Sequence, residues 1–296
     1  MIGRPPAQDD RRDARGRSAT GVLTAVGYPL LGAALLVVLW WLAIKLFVEP
    51  GSFLSAFAPD RGARALVDLV GDGTLNRHVI ASLKRILVGL GIAAVIGIPF
   101  GLALGGLPVF SKTIGPVASF VRMVSPLSWT PLAIIWFGVG DQPVYFLIAI
   151  GAVWPIALST SAGVAALDPQ WLMLGRSLRA SRVELLRTIV WPGIRADVLT
   201  GLRLALTTAW IILVPAEMLG VDSGLGYFIL DSRDRFAYSD LVAAIVVIGA
   251  LGFLLDRAAH YLLTPRRRTA RRPARQRVTG PAEVALTEPG AREYRI

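Results

Sequence analysis

The sequence predicts an all-α membrane protein with six membrane-spanning helices. Hydrophobic residues make up 54% of the 296 residues and charged residues only 17%, which is too apolar for an ordinary soluble domain. Several apolar runs exceed the roughly 18 residues that a helix needs to cross a bilayer. Arginine is concentrated at the two ends and in one loop, as expected where the segments on one side of a membrane are basic.

The apolar runs define the spans and the tails. No small-residue cleavage site follows the first run, which is longer than the apolar part of a signal peptide, so we interpret it as an uncleaved span. The membrane domain is predicted over residues 21–263, and the tails, residues 1–20 and 264–296, are expected to be disordered. The predicted spans are residues 22–48, 78–106, 113–137, 143–166, 198–219 and 241–263.

The charge distribution predicts the orientation of the chain. Residues 1–20 carry five Arg and three Asp, and residues 264–296 carry nine Arg and three Glu, so most of the net charge of +11 lies in the tails. Six spans place both tails on the same side as the arginine-rich loop, residues 167–197. The positive-inside rule makes that side cytoplasmic. A basic tail is also found in nucleic-acid-binding proteins, but arginines that flank spans set topology, so no nucleic-acid partner is expected.

The residue types exclude several kinds of chemistry. The chain has no cysteine, which rules out disulfides, thiolate metal sites and cysteine nucleophiles. His78 and His260 are far apart in sequence and lack the spacing of metal ligands, so neither a metal nor a cofactor is expected. No GxxxxGK[ST] phosphate-binding pattern and no catalytic constellation is present. We therefore predict that the chain is not an enzyme and that it does not itself hydrolyse ATP.

The second predicted span is rich in glycine and alanine. Small residues recur along it at Gly89, Gly91, Gly97, Gly101 and Gly105. Such residues let membrane helices approach closely, so we interpret them as packing positions and not as a ligand site.

The loop of residues 167–197 has helical spacing of its own. Its apolar side chains predict two amphipathic helices at the membrane surface. A surface helix without a partner is the alternative interpretation. The residues that define the pattern are Leu172, Leu174, Leu178, Leu185, Leu186 and Ile189.

This loop resembles the cytoplasmic coupling loop of ABC importer permeases, the EAA---G---------I-LP signature of binding-protein-dependent transport systems. Aligned on Ile189 and Pro192, the small-residue core of the signature falls at Gly175. The sequence departs from the signature at Met173-Leu174, which replace the Glu-Ala pair, and at Arg179, which replaces a glycine. The resemblance implies that the residues that couple to the ATPase are Leu174, Gly175, Arg176, Ser177, Leu178, Arg179, Ala180 and Pro192.

Other motifs resemble the nitrate/sulfonate/taurine branch of the same family. They are P-L-S-W-T-P-L at residues 126–132, G-L-R at 201–203, A-E-M at 216–218 and G-L-G-Y at 224–227. Pro126 and Pro131 interrupt the third span, because proline removes a backbone donor and bends a helix.

Polar and ionisable groups within the spans are candidates for a transport pathway, since such groups are costly in a membrane. Arg203 and Glu217 share a face of the fifth span within about 40° but lie roughly 21 Å apart, so they cannot touch. Two interpretations stay open: each pairs with a neighbouring helix, or each borders the path of an anion. Arg85 is a weaker candidate. The pathway candidates are Arg122, Ser128, Trp129, Arg203, Trp210 and Glu217.

The resemblance implies a type I ABC importer permease that forms a homodimer in the inner membrane. ATPase subunits would bind the coupling loops, and an extracytoplasmic binding protein would deliver nitrate, sulfonate, taurine or a related small anion. The rival hypotheses are a secondary transporter, for which we find no internal repeat, and a membrane scaffold, which would leave the loop motif unexplained.

Overall fold

The computed structural model describes residues 13–49 and 52–263, which form eleven α-helices and no strand. This confirms the all-α class. Two 3₁₀ turns, Phe53–Phe57 and Pro126–Trp129, and one π-helical turn, Leu186–Val190, lie between the helices. The helices are α1 (Asp13–Phe47), α2 (Pro59–Gly71), α3 (Thr74–Gly106), α4 (Pro108–Val121), α5 (Thr130–Phe137), α6 (Asp141–Ala165), α7 (Pro169–Ser177), α8 (Arg182–Leu185), α9 (Trp191–Glu217), α10 (Leu225–Asp234) and α11 (Tyr238–Leu263).

Four long helices in the described part of the chain are apolar enough to cross a membrane. They are α3, α6, the continuous helical segment Arg182–Glu217 and α11. The bent pair Pro108–Val121 and Pro126–Phe137 makes a fifth if it counts as one broken span. In α1 the apolar stretch is Ala34–Phe47, which is shorter than a span. The first predicted span, residues 22–48, therefore stays a prediction, and so does the total of six spans.

The third predicted span is broken at the prolines that the sequence singles out. Its two parts meet at 86°. Pro126 and Pro131 each lie in the first turn of a helical segment, where the missing N–H would have no partner within the helix. Residues 107–112, which separate the second and third predicted spans, are mostly helical, because Pro108 begins α4 one residue after α3 ends.

Two predicted boundaries need correction. Residues 13–20, which we expected to be disordered, belong to α1, and their alanines and arginines favour a helix. The fifth span does not begin at residue 198, because one helical segment runs from Arg182 to Glu217. The π-helical turn just before Pro192 accommodates this proline without ending the helix. The remaining predicted tail residues, 1–12 and 264–296, lie outside the described part.

Helices α3, α6 and α9 form the central bundle and enclose the larger apolar core. Glycine brings α3 against α6: a methyl group on Gly101 would lie 2.7 Å from Thr160 Cβ, and one on Gly97 would lie 2.9 Å from the Val153 carbonyl oxygen. Gly89 and Gly105 meet α6 in the same way. The predicted packing role of these residues is thus confirmed, except for Gly91, which points away from α6.

A second apolar core lies beside the bundle, where α10 and α11 pack with α2. Phe228 of α10 and Ala244 of α11 are fully buried in it. Trp210 of α9 packs against both cores and therefore joins them. The described side chains of α1 are mostly exposed, and its main contacts are with α2 and the turn Phe53–Phe57.

The α3–α6 contact predicts different outcomes for two glycines of one helix. Gly101→Ala should lower the free energy of unfolding by about 1–3 kcal/mol, because the added methyl group overpacks the contact with Thr160 and Ala157. Gly91→Ala is the control, since no described atom lies within 4 Å of a methyl group there. Alanine also favours a helix over glycine. Thermal melting of both variants in detergent tests this, and equal melting temperatures would refute the assigned packing face.

Candidate functional site

The predicted coupling loop forms two short helices connected by a tight turn. Asp168 caps α7, because its side chain accepts the Gln170 N–H at 2.9 Å. Ser181 and Glu184 form a reciprocal capping box at the start of α8. Two helices are therefore present, as the spacing of apolar residues predicts.

Gly175 is the buried contact between these two helices. A methyl group on it would meet the Leu185 side chain and would lie 3.0 Å from Ile189 Cδ1. The Gly175 carbonyl also accepts the Ala180 N–H at 3.0 Å, which closes the turn. The signature position occupied by a small residue is thus the place where the helices touch.

Arg179 lies at the point where the chain reverses direction. Its φ of 57° is in the left-handed region, which costs a non-glycine residue roughly 1–2 kcal/mol. The resemblance puts a glycine at this position, and the backbone geometry gives the reason. The arginine is accommodated here with its side chain exposed.

The outer surface of the loop combines apolar and basic side chains. Leu178 is 74% exposed, and Leu174 is 51% exposed. Arg176, Ser177 and Pro192 are also exposed, whereas Ala180 is half-buried. Trp171 and Met173 extend the apolar part of this surface. An exposed apolar patch bordered by charges is typical of a protein-binding surface.

The second site is a buried ion pair between α3 and α9. The side chains of Arg85 and Glu217 are 2% and 0% exposed, and Arg85 Nη1 donates to Glu217 Oε1 at 2.7 Å. Ser82, one helical turn before Arg85, donates to the same carboxylate at 2.8 and 2.9 Å. The Gly226 N–H donates to Glu217 Oε2 at 3.0 Å. Glu217 is therefore a packed residue with a full set of partners.

Arg85 uses its whole guanidinium group. Nε and Nη2 donate to Asp141 Oδ1 at 2.8 and 2.7 Å. Nη1 also donates to the Ser223 carbonyl at 2.6 Å, and Nη2 donates to Ser223 Oγ at 3.0 Å. The two carboxylates and Ser223 thus occupy all of its donor groups. This single side chain connects α3, the start of α6, the end of α9 and the loop before α10.

The G-L-G-Y motif lies against the ion pair, with Gly224 at the end of that loop and its other three residues in the first turn of α10. Gly224 has a φ of 104°, and a side chain on it would collide with Arg85 and Glu217. Its N–H donates to His78 Nδ1 at 3.1 Å, and the Leu225 N–H donates to Ser82 Oγ at 2.9 Å. Glycine is needed here because the backbone itself contacts the buried charges.

The other pathway candidates do not join this cluster. Arg203 lies 3.7 Å from Asp256 of α11, and both side chains are partly exposed. Arg122 and Ser128 are exposed at the break between α4 and α5, and Trp129 packs on the central core. The structure therefore separates the candidates into a buried cluster around Glu217 and an open pair at Arg203.

Sequence reasoning missed most of the cluster around Arg85 and Glu217. It named Arg85 as a weaker candidate but did not identify Ser82 as a partner of Glu217, Asp141 and Ser223 as partners of Arg85, or His78 as the acceptor of the Gly224 N–H. Ser82 and Arg85 are three residues apart and hence share a helix face, which is a usable signal. The contribution of Asp141 had no signal in the sequence, since it arises only from the packing of α6 on α3.

The described residues contain no group of three or more His, Cys, Asp or Glu placed to hold a metal ion. An apolar cavity of about 600 Å³ lies beside α3, α5 and α6. Its lining includes Ile96, Phe137 and Val153, with Gln142 and Tyr145 as polar side chains and no charged one.

The helical bundle and the two-helix surface loop are those of a membrane transport subunit. The profile of the family "Binding-protein-dependent transport system inner membrane component" matches residues 97–269, which include the loop and most of the bundle. The chain therefore belongs to this family of ABC transporter permeases.

Several relatives are named for the solute that they transport. The chain is 35% identical over 240 residues to the taurine transport system permease protein TauC of Escherichia coli, covering 78% of this chain and 86% of the relative. It is 33% identical over 252 residues to the bicarbonate transport system permease protein CmpB of Synechococcus elongatus, covering 81% and 89%. It is 31% identical over 191 residues to the nitrate import permease protein NrtB of Synechocystis sp., covering 64% and 70%.

The fold is similar to that of a solved transporter. An inward-facing structure of the MetNI methionine ABC transporter superposes with a TM-score of 0.56 at 18% identity, covering 64% of this chain and 94% of that chain. This similarity confirms the predicted permease fold. A multi-pass permease of the inner membrane is the class that the helices and the family together define.

The buried pair predicts a large stability effect from a nearly isosteric change. Glu217→Gln should lower the free energy of unfolding by about 3–5 kcal/mol, because it leaves a buried arginine without one of its two carboxylates. Arg233→Gln is the control: Arg233 pairs with Asp234 at 2.8 Å, but both side chains are more than half exposed. Loss of that exposed pair should cost less than about 1 kcal/mol. Denaturant titration in detergent measures both, and similar losses would contradict the assigned difference.

Proposed function

We propose that this permease subunit carries a small anion into the cell as part of an ATP-driven importer. Three relatives are named for taurine, bicarbonate and nitrate, which all carry anionic oxygen groups. The observation that carries the ATP-driven part of the proposal is the exposed two-helix loop, which presents apolar and basic side chains outside the bundle. An importer without an ATPase would have no use for such a docking surface.

The loop is the proposed binding surface for a separate ATPase subunit. The coupling residues from Leu174 to Ala180 form the end of α7 and the turn that follows it, and Pro192 lies at the start of α9. Leu178 is the most exposed apolar side chain among them, and Arg179 stands beside it. A hydrophobic centre bordered by charge matches the usual anatomy of protein interfaces. ATP hydrolysis is assigned to that partner, so this subunit is proposed to be non-catalytic.

The helical segment Arg182–Glu217 is the proposed mechanical connection between the ATPase and the membrane. It is 36 residues long, which corresponds to about 54 Å. One end lies in the loop, and the other end is held by the Arg85 ion pair. Movement of the loop is therefore transmitted along one continuous helix to the central bundle. This would drive a rigid-body change between inward-open and outward-open states.

Two copies of the chain are proposed to form the transport pathway at their interface. A binding protein on the outer side would deliver the anion to the surface that carries the G-L-G-Y motif and the rest of α10. Arg122, Ser128, Arg203 and the two tryptophans Trp129 and Trp210 stay pathway candidates. Glu217 is better explained as the packed partner of Arg85, because its side chain is not exposed at all.

Both termini are proposed to be cytoplasmic, together with the coupling loop. A reporter fused after Arg268 should be accessible from the cytoplasm, and one inserted near Asp231 should be accessible from outside, because arginine-rich segments stay inside. Labelling in intact and permeabilised cells measures both positions. If the two reporters lie on the same side, a span has been miscounted.

The function is tested by uptake into vesicles that contain the permease with its ATPase and binding protein. Taurine, nitrate and bicarbonate are the probe solutes. We expect uptake of at least one of them that depends on ATP. In the same system Arg179→Glu should abolish most of the uptake while the permease stays folded, because it reverses a charge in the docking surface without touching the bundle.

Arg179→Lys is the matched control, because it keeps both the charge and a side chain in the left-handed conformation. It should retain uptake. Uptake that is driven by an ion gradient without ATP would instead indicate a secondary transporter. Normal ATP-dependent uptake by Arg179→Glu would contradict the placement of the docking surface.

A further inference from the structure

Among the ion pairs that join membrane-spanning helices in the described part of the chain, those of Arg85 and Arg203 are built differently. Arg85 and Glu217 meet at 2.7 Å with almost no exposure. Arg203 of α9 and Asp256 of α11 meet at 3.7 Å, and their side chains are 38% and 48% exposed. The first distance is that of a charge-assisted hydrogen bond, and the second is too long for one.

The guanidinium of Arg203 has unused donor groups. Within the described residues its side chain makes one ion pair, with Asp256, and no hydrogen bond, whereas Arg85 has every donor group occupied. An arginine has five N–H donors in a planar fork that suits oxyanions. Arg203 can therefore accept a further anionic partner without first losing a strong hydrogen bond.

The surroundings of this pair are polar on one side. Thr200 and Thr207 of α9 are exposed and lie within about one helical turn of Arg203 on neighbouring positions of the helix surface. Asp256 lies seven residues before Leu263, the end of α11, which is about 10 Å along the helix. A half-open ion pair at this depth needs water or protein beside it, because lipid tails would leave the charges unsolvated.

We propose that Asp256 is a positioning residue that sets the anion affinity of Arg203 on a water-accessible face of α9. This inference rests on the proposed import of an anion and adds a counter-charge to it. Asp256 holds the guanidinium between α9 and α11 and screens part of its charge. An arriving oxyanion takes the free donors, and the long contact to Asp256 is weak enough to be exchanged for it. Asp256 thereby limits how tightly the anion is held, so that the anion is also released.

The absence of cysteine from the chain allows a direct test. Thr207→Cys places one thiol on the proposed face, and its reaction rates with anionic and cationic methanethiosulfonate reagents are measured in inverted membrane vesicles. Val95→Cys on α3 is the control, since Val95 is 75% exposed but has apolar surroundings that lipid would cover. We expect Thr207→Cys to react and Val95→Cys to stay unreactive.

The ratio of the anionic to the cationic rate then reports the local charge. In the Thr207→Cys background, Asp256→Asn should raise this ratio by about threefold to tenfold, because it removes the counter-charge of Arg203. Arg203→Gln should lower the ratio below that of a neutral site, because it leaves the charge of Asp256 unbalanced. Asp256→Glu keeps the negative charge, so the ratio in this variant should equal that of Thr207→Cys alone. A purely structural role of Asp256 would not explain this result. Thermal melting identifies any variant that fails to fold, and Asp256→Glu then provides the comparison.

Three results would overturn the inference. Thr207→Cys could be as unreactive as Val95→Cys, which would mean that the face is not accessible to water. The ratio could be the same in all variants, which would mean that Arg203 does not set the local charge. Asp256→Asn could lower the ratio, which would mean that Arg203 needs Asp256 to reach this face. If the labelling follows the expected pattern but the complete transporter takes up none of the three probe solutes, the Arg203 site stands and the proposed substrate class fails.

Discussion

The buried contact between Arg85 and Glu217 is the interaction on which the arrangement of the bundle depends. A charge in the interior of a membrane protein is stable only when its partners are complete. Here Arg85 has all its donors occupied by Glu217, Asp141 and Ser223. Satisfying this one side chain requires α3, α6, α9 and the loop after α9 to hold fixed positions. The pair therefore specifies how the helix ends that meet at this cluster are placed relative to one another.

Close helix packing is what makes this burial possible. Glycines along α3 bring its backbone against α6, so that Asp141 at the start of α6 comes within reach of Arg85. At the start of α10, Gly224 and Gly226 allow the backbone to contact the ion pair directly. Bulkier residues at these positions would hold the carboxylates and the guanidinium apart. The burial of the charges therefore depends on the small residues that let the helices approach closely.

The two ends of the segment Arg182–Glu217 differ in the way that transport requires. Its C-terminal end is held by the buried pair, and its N-terminal end continues from the exposed turn with Leu178 and Arg179. Between them lies Arg203, with its long and partly open contact to Asp256. A tightly held end, an exposed end and an exchangeable charge between them fit a helix that transmits movement. The left-handed conformation of Arg179 shows that the loop keeps its tight turn even without the glycine of the family signature.

The sequence by itself determined the all-α membrane class, the positions of the long helices and the two-helix loop, because these depend on local periodicity and on proline and glycine. It also identified Glu217 and Arg203 as unusual, since ionisable residues stand out in apolar runs. Which residue each of them pairs with was decided only by the tertiary structure. The partners Arg85 and Asp256 lie on other helices, dozens of residues away along the chain, and no local pattern encodes a distance between helices. The same holds for the 86° break at the prolines: sequence predicts the interruption, but the packing of neighbouring helices sets its angle.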